Sequence, residues 1–250
     1  MSFPLSRPPI FSKTSSPDKI PSFPERFPTS FSFDRCFSRQ LSHWKMFSAI
    51  ENAPSTIQTV TISYSELTDK DADLSMKIEE GFGPNGLGIL SISNVPELSS
   101  LRQNLLHLAP RLASLPEEVK KELEDPHSRY NFGWSHGKEK LESGKPDMLK
   151  GSYYANPVLD RPTTEDSVIQ RYPSYCQPNI WPGKALPELE SAFKALGKLM
   201  VDVGLILAYH CDQYVSKWVT MRDDEGLEQI LQRSRCHKGR LLYYFPSQKR

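Results

Sequence analysis

The chain has 250 residues, and its formal net charge is only +1 at pH 7, which argues against nucleic acid as a partner bound through bulk charge. None of its apolar runs reaches the ~18 residues of a membrane span. The four cysteines (Cys36, Cys176, Cys211 and Cys236) are scattered and form no CxxC motif, which favours free thiols in a reducing compartment.

Residues 1–50 differ in composition from the rest of the chain. They contain seven prolines, eleven serines, and seven Lys or Arg against three acidic residues. A serine-rich, arginine-containing and acid-poor segment is typical of an organelle transit peptide, whereas proline at this density is also typical of a disordered tail. We predict chloroplast targeting. Initiation at Met46 would instead give a cytoplasmic product.

The next hundred residues predict alternating strands and helices. Polar and apolar residues alternate over 59–64, which predicts a strand, and residues 88–93 are predicted to form a second strand. Between them a helix is expected to begin near Asp69 and to end near Gly81, and the glycines that follow it indicate turns rather than a phosphate-binding loop. After the second strand, an apolar row at helical spacing predicts a helix along Leu101, Leu105, Leu108 and Leu112.

A long, largely irregular stretch precedes the last elements. Pro116 is placed to begin a short helix, and residues 125–165 predict a long ordered loop with short strands around 130–134 and 152–154. The longest helix is predicted over 187–218, packed against a sheet through one apolar row. That row consists of Leu189, Phe193, Leu196, Met200, Val203 and Leu207.

A short helix near 227–232 and a strand over 239–246 are the last predicted elements. Because only four residues follow this strand, we expect it to have little to pair with, and an unpaired edge invites self-association. This pattern predicts that the chain is the front part of a larger architecture.

Three groups of residues could carry chemistry on first inspection. The triplet from His210 to Asp212 has the H-x-D spacing of iron sites, but residues two apart on a helix face different directions. We therefore predict a half-buried histidine and a surface acid. The basic run 233–240 is predicted to be a solvated loop. His127 and His136 flank an aromatic segment and could line a pocket, although a lone loop histidine is more often solvated.

The order of the predicted elements resembles that of the plant 2-oxoglutarate and Fe(II)-dependent oxygenase superfamily, whose fold is isopenicillin N synthase-like. Each matching segment is short, and five of them occur in the family's order. They are Thr61–Leu67 (I-D-L-S-x-L in the family), Gly88–Pro96 (G-F-F-x-V-x-N-H-G-V-P), Leu115–Lys120 (L-P-x-E-E-K), Asn179–Pro182 (N-x-W-P) and Leu242–Pro246 (x-N-Y-Y-P).

The resemblance implies an α+β fold: the N-terminal helical and strand region of an isopenicillin N synthase-like protein, with an incomplete jelly-roll (double-stranded β-helix) core. It also implies three parts. A tail at 1–50 precedes a non-haem dioxygenase N-terminal-like region at 51–175, and residues 176–250 supply the long helix and the first strand or strands of a truncated catalytic jelly roll. A closed jelly roll needs about eight strands.

The resemblance further implies that full-length relatives use Fe(II) and 2-oxoglutarate to oxidise a small organic substrate. In the family the H-x-D iron motif, a distal histidine and an R-x-S that grips 2-oxoglutarate follow the last matching segment, and none has a counterpart here. In the family's N-Y-Y-P strand the Asn and the second Tyr point inward. Tyr243 and Phe245 occupy those places here, and they are the candidates for a pocket wall.

Two functional hypotheses follow. In the first, the chain is a truncated member of the oxygenase superfamily that is catalytically incompetent by itself and binds neither Fe(II) nor 2-oxoglutarate well. In the second, it is a non-enzymatic interaction module that pairs with another polypeptide through its open sheet edge.

Overall fold

The computed structural model describes residues 58–222 and 224–246. The chain divides into two units, Met1–Ser55 and Thr56–Arg250, and every described residue lies in the second. The predicted transit-peptide tail at 1–50 lies outside the described residues. No helix in the described portion is long and apolar enough to cross a membrane.

A small parallel sheet begins the described chain. Strand β1 (Val60–Ser63) pairs in parallel with β2 (Leu90–Ser93), and both strands were predicted from the sequence. Two helices connect them, α1 (Tyr64–Thr68) and α2 (Ser75–Phe82). Helix α1 was not predicted, although its start has a recognisable signal. Ser63 and Glu66 form a capping box, in which the side chain of each accepts a hydrogen bond from the backbone N–H of the other.

Three helices follow the parallel sheet. They are α3 (Leu98–Leu106), α4 (Leu108–Ala113) and α5 (Glu117–Glu122). The predicted leucine row is thus divided between α3 and α4, which meet at His107. Leu105, Leu108 and Leu112 are all buried, so the helical spacing identified the apolar face correctly.

A three-stranded antiparallel sheet forms the second layer. Strands β3 (Gly133–His136), β4 (Lys150–Ala155) and β5 (Gly239–Tyr244) lie in the order β3-β4-β5. The expectation that β5 has little to pair with is wrong, because all six of its residues pair with β4. Strand β4 lies far earlier in the chain, within the stretch predicted to be largely irregular. A local sequence pattern does not reveal pairing at this distance.

The remaining helices lie between β4 and β5 in the chain. They are α6 (Asp166–Arg171), α7 (Pro173–Cys176), α8 (Glu188–Ser216) and α9 (Leu227–Arg233). Helix α8 has 29 residues and is therefore about 44 Å long at 1.5 Å per residue.

Helix α8 contacts two separate hydrophobic cores. Its first half contributes Leu189, Phe193 and Leu196 to the core beneath the three-stranded sheet. Its second half packs Val203 and Leu207 against the core of the parallel sheet. Between the two cores the predicted apolar row is interrupted.

The interruption falls at Met200, whose side chain is 62% exposed. One turn earlier, the chain at Pro157 lies against Gly197, where a Cβ would fall 2.2 Å from the proline ring. Only glycine permits so close an approach at this point on the helix. The two halves of α8 therefore serve different layers, and Met200 lies at the boundary between them.

A hydrogen-bonded clamp holds the loop after β4 to the segment before α8. The carboxylate of Asp160 accepts hydrogen bonds from Asn179 Nδ2 (3.0 Å), Trp181 Nε1 (2.8 Å) and Lys194 Nζ (2.6 Å). Burial opposes ionisation of Asp160, but these three donors outweigh it and lower the pKa of that carboxyl. The N-x-W-P segment of the sequence resemblance is thus a structural clamp here.

Substitution of Trp181 tests this clamp. Trp181→Phe keeps an aromatic ring against Tyr153 and Phe193 but removes the hydrogen bond to Asp160. We therefore expect the free energy of unfolding, measured by urea denaturation, to fall by about 1 kcal/mol. Trp218→Phe is the matched control, because Trp218 is 77% exposed, and its effect should stay within about 0.5 kcal/mol. Equal effects of the two substitutions would contradict the clamp.

Candidate functional site

His210, the first residue of the H-x-D triplet, hydrogen-bonds to the backbone through one ring nitrogen. It is buried at 3% exposure rather than half-buried as predicted. Its Nε2 lies 2.8 Å from the backbone oxygen of Leu67, the last but one residue of α1. That hydrogen bond places the proton on Nε2 and the lone pair on Nδ1. The histidine therefore ties α8 to α1.

Asp212, the third residue of the triplet, caps a helix. Its two carboxylate oxygens accept hydrogen bonds from the backbone N–H groups of Leu227 (2.7 Å) and Glu228 (2.9 Å), the first residues of α9. Gly226, the N-cap of α9, makes no cap hydrogen bond of its own. Asp212 supplies the missing acceptor from α8. It is thus a cap for α9, a role that the prediction of a surface acid did not include.

The described residues do not fit Fe(II). No group of three His, Cys, Asp or Glu side chains within residues 58–222 and 224–246 converges on one point. The two residues with H-x-D spacing bind different backbone segments, Leu67 in one case and α9 in the other. A facial iron site needs two histidines and a carboxylate directed at a common centre, and this arrangement does not supply it.

Tyr243 and Phe245, the candidate pocket-wall residues, lie side by side on one face of the three-stranded sheet. Their ring centroids are 5.0 Å apart, and both are partly buried against the core that contains Trp134 and Leu241. Tyr244 between them is 66% exposed. The predicted alternation is present, and a role in binding stays a prediction.

His136 lies on the same sheet face and borders a cavity, which is the less expected of the two possibilities for this residue. Its ring centroid is 4.7 Å from that of Phe245, and its Nε2 lies 2.9 Å from the backbone oxygen of Met148. The cavity has a volume of about 460 Å³ and is lined mainly by the charged residues of α5, with Trp134 and Lys138. His127, the other flanking histidine, is not among the residues that line it.

The opposite face of the three-stranded sheet is polar. Arg240 of β5 donates to Ser152 Oγ (2.7 Å) and pairs with Glu139, whose carboxylate also binds Lys150 at 2.7 Å. The hydrogen bond from Lys150 is the main reason that the pKa of Glu139 is lowered, and the charge of Arg240 adds to it. Because the carboxylate of Glu139 pairs with both cations, the cluster crosslinks β4, β5 and the loop before β4.

The basic run before β5 contains an irregular segment in which Arg235 and Cys236 are exposed, as the sequence predicted, but its cations also bind other parts of the chain. Arg233 donates to the backbone oxygen of Gln229, and Arg235 donates to that of Pro162 at 2.6 Å. Lys238 donates to the backbone oxygen of Ser174 and lies among three aromatic rings. These cations bind the chain itself, and no local pattern in the sequence indicates the distant acceptors of Arg235 and Lys238.

The chain is similar to one known protein family and to several solved structures. Residues 57–184 match the family model described as "non-haem dioxygenase in morphine synthesis N-terminal". No curated protein matches the sequence.

Among solved structures, a 2OG-Fe(II) oxygenase family protein from Caulobacter crescentus is similar with a TM-score of 0.54 and 15% identity. The similarity covers 78% of this chain and 59% of that protein. At this identity the likeness shows a shared fold. The chain spans about three fifths of the length of that relative.

A full-length protein from Neurospora crassa is also similar, at lower scores. Its complex with alpha-KG has a TM-score of 0.47 and 19% identity, and the match covers 74% of this chain and 53% of that one. Its complex with alpha-KG and thymine has a TM-score of 0.44 at 19% identity, covering 64% and 50%. Scores below 0.5 do not assign a fold by themselves.

Proposed function

The chain belongs to the family defined by the N-terminal region of non-haem dioxygenases, and from this premise we propose that it forms supporting architecture of a 2-oxoglutarate- and Fe(II)-dependent oxygenase without holding the iron itself. Parallel strands β1 and β2, helices α1–α5 and the long helix α8 make up the support. Strands β3–β5 are proposed as part of a jelly-roll core of the isopenicillin N synthase-like kind.

The main support for this proposal is that both residues with H-x-D spacing form hydrogen bonds that hold the fold together. His210 binds the backbone of Leu67, and Asp212 binds the first N–H groups of α9. Residues two apart on a helix face different directions, and these two are directed at different segments, α1 and α9. To bind one ion together they would have to leave these positions, and a buried backbone group left without a partner costs about 1–3 kcal/mol.

For relatives with a complete site, we propose the chemistry that the family resemblance implies. Fe(II) and 2-oxoglutarate would serve to oxidise a small organic substrate, with no nucleic acid or membrane as partner. For this chain we propose catalytic incompetence and weak binding of both cofactors. The alternative, a non-enzymatic interaction module, is not favoured by the family match.

Turnover of 2-oxoglutarate tests the proposal. The 250-residue protein is incubated anaerobically with Fe(II) and 2-oxoglutarate, exposed to O₂, and succinate is measured. We expect no succinate above a protein-free control, because the described residues offer no three-ligand site.

His210→Ala and Lys198→Ala are assayed beside the native protein. Lys198 lies on the same helix and pairs with Asp202 on its surface, so it controls for a general effect of substitution in α8. Succinate formation that survives Lys198→Ala and disappears in His210→Ala would overturn the proposal.

Self-association through β5 stays a prediction. One edge of β5 pairs with β4, and the other edge has no strand partner among the described residues. Light scattering is expected to give a mass above that of the 28.5 kDa monomer, reduced by Tyr244→Lys, since an edge lysine opposes strand pairing. Met76→Lys, at a site 85% exposed on α2, is the control. A monomer at all concentrations would contradict the prediction.

We propose chloroplast targeting through residues 1–50, with a cytoplasmic product as the alternative if translation starts at Met46. The support is the composition of the segment, rich in serine and poor in acidic residues. Fluorescence imaging of residues 1–50 fused to a reporter in leaf cells is expected to show chloroplast signal. Diffuse cytoplasmic signal would contradict targeting.

A further inference from the structure

Two cysteines that lie 60 positions apart in the chain meet in the fold. The Sγ atoms of Cys176 and Cys236 are 4.0 Å apart. Cys176 is the last residue of α7 and is buried, whereas Cys236 is exposed in the irregular segment that leads into β5. A disulfide has an S–S distance of about 2.05 Å, so the two sulfurs need to approach by roughly 2 Å.

The backbone on both sides of Cys236 is already held next to α7 and its surroundings. Lys238, two residues after Cys236, donates to the backbone oxygen of Ser174, two residues before Cys176. Arg235, one residue before Cys236, accepts a hydrogen bond from Asn156 Nδ2 at 2.7 Å through its backbone oxygen. These contacts keep the two thiols adjacent without fixing the side-chain rotamer of Cys236.

The two thiols occupy different environments. Burial, with a smaller contribution from the neighbouring Cys236, raises the pKa of the Cys176 thiol to about 11. Cys236 is open to solvent and is thus the sulfur that an oxidant meets first. The ammonium of Lys238 acts on the pKa of Cys176 in the opposite sense to burial.

We propose that Cys176 and Cys236 form an intramolecular disulfide when the protein meets a peroxide. In the first step Cys236–SH reacts with H₂O₂ to give Cys236–SOH and water. In the second step the sulfur of Cys176 attacks the sulfenic sulfur, the S–S bond forms, and a second water leaves. Two electrons pass from the thiol pair to the peroxide.

The disulfide would link α7 to the segment that enters β5, and so close a loop that contains the whole of α8 and α9. A crosslink across a loop of this length restricts the unfolded chain and stabilises the folded one. A metal is not the better explanation, because no third His, Cys, Asp or Glu joins the pair among the described residues. The inference does not depend on the proposed function.

The experiment treats the reduced 250-residue protein with stoichiometric H₂O₂ and counts thiols under denaturing conditions. The count is expected to fall from four to two, because the sequence has four cysteines. Tryptic digestion without reduction should then give one crosslinked species that joins peptide Tyr172–Lys184 to peptide Cys236–Lys238. The melting temperature should rise by several degrees and return to its original value with dithiothreitol.

Cys236→Ser should abolish the crosslinked peptide and the rise in melting temperature, and its exposed site makes it compatible with folding. Cys176→Ala should do the same. The control is Cys36→Ser/Cys211→Ser, which should retain both effects. A crosslink to Cys36 or Cys211, a disulfide-linked dimer on a non-reducing gel, or four remaining thiols would each overturn the proposal.

Discussion

The architecture depends on one helix that is shared between two hydrophobic cores. Within the described residues, α8 contributes to the core under the three-stranded sheet and to the core of the parallel sheet. It is also the helix from which His210 reaches α1 and Asp212 reaches α9. Its polar groups near the C-terminal end are therefore engaged in positioning other elements. The two residues of the H-x-D pair are directed at different backbone segments, and no third His, Cys, Asp or Glu joins them among the described residues.

The sequence predicted elements well where the signal was local. The strand signals of β1, β2 and β5 and the apolar row of α8 all identified structure that is present. The burial of Leu189, Phe193 and Leu196 followed from spacing alone. Met200 could not be predicted as exposed, because its exposure arises where α8 passes from one core to the other.

Contacts between distant segments were beyond the sequence pattern. The pairing of β5 with β4, the acceptors of Arg235 and Lys238 and the approach of Cys176 to Cys236 all join residues that are at least 60 positions apart. The role of Asp212 as a cap for α9 also needs the folded chain, because its partners lie 15 and 16 positions away on another helix. The resemblance identified the family. The folded chain shows that the two residues with H-x-D spacing hydrogen-bond to the backbone of α1 and α9.

We propose above all that His210 and Asp212 serve the fold and not a metal. Urea unfolding of the native protein and of Asp212→Ala, each with and without anaerobic Fe(II), tests it most directly, since a ligand that binds the folded state raises its stability. We expect Fe(II) to leave both midpoints unchanged and Asp212→Ala to lose about 1 kcal/mol of stability with the cap. An increase in the native midpoint with Fe(II), absent in Asp212→Ala, would contradict the account.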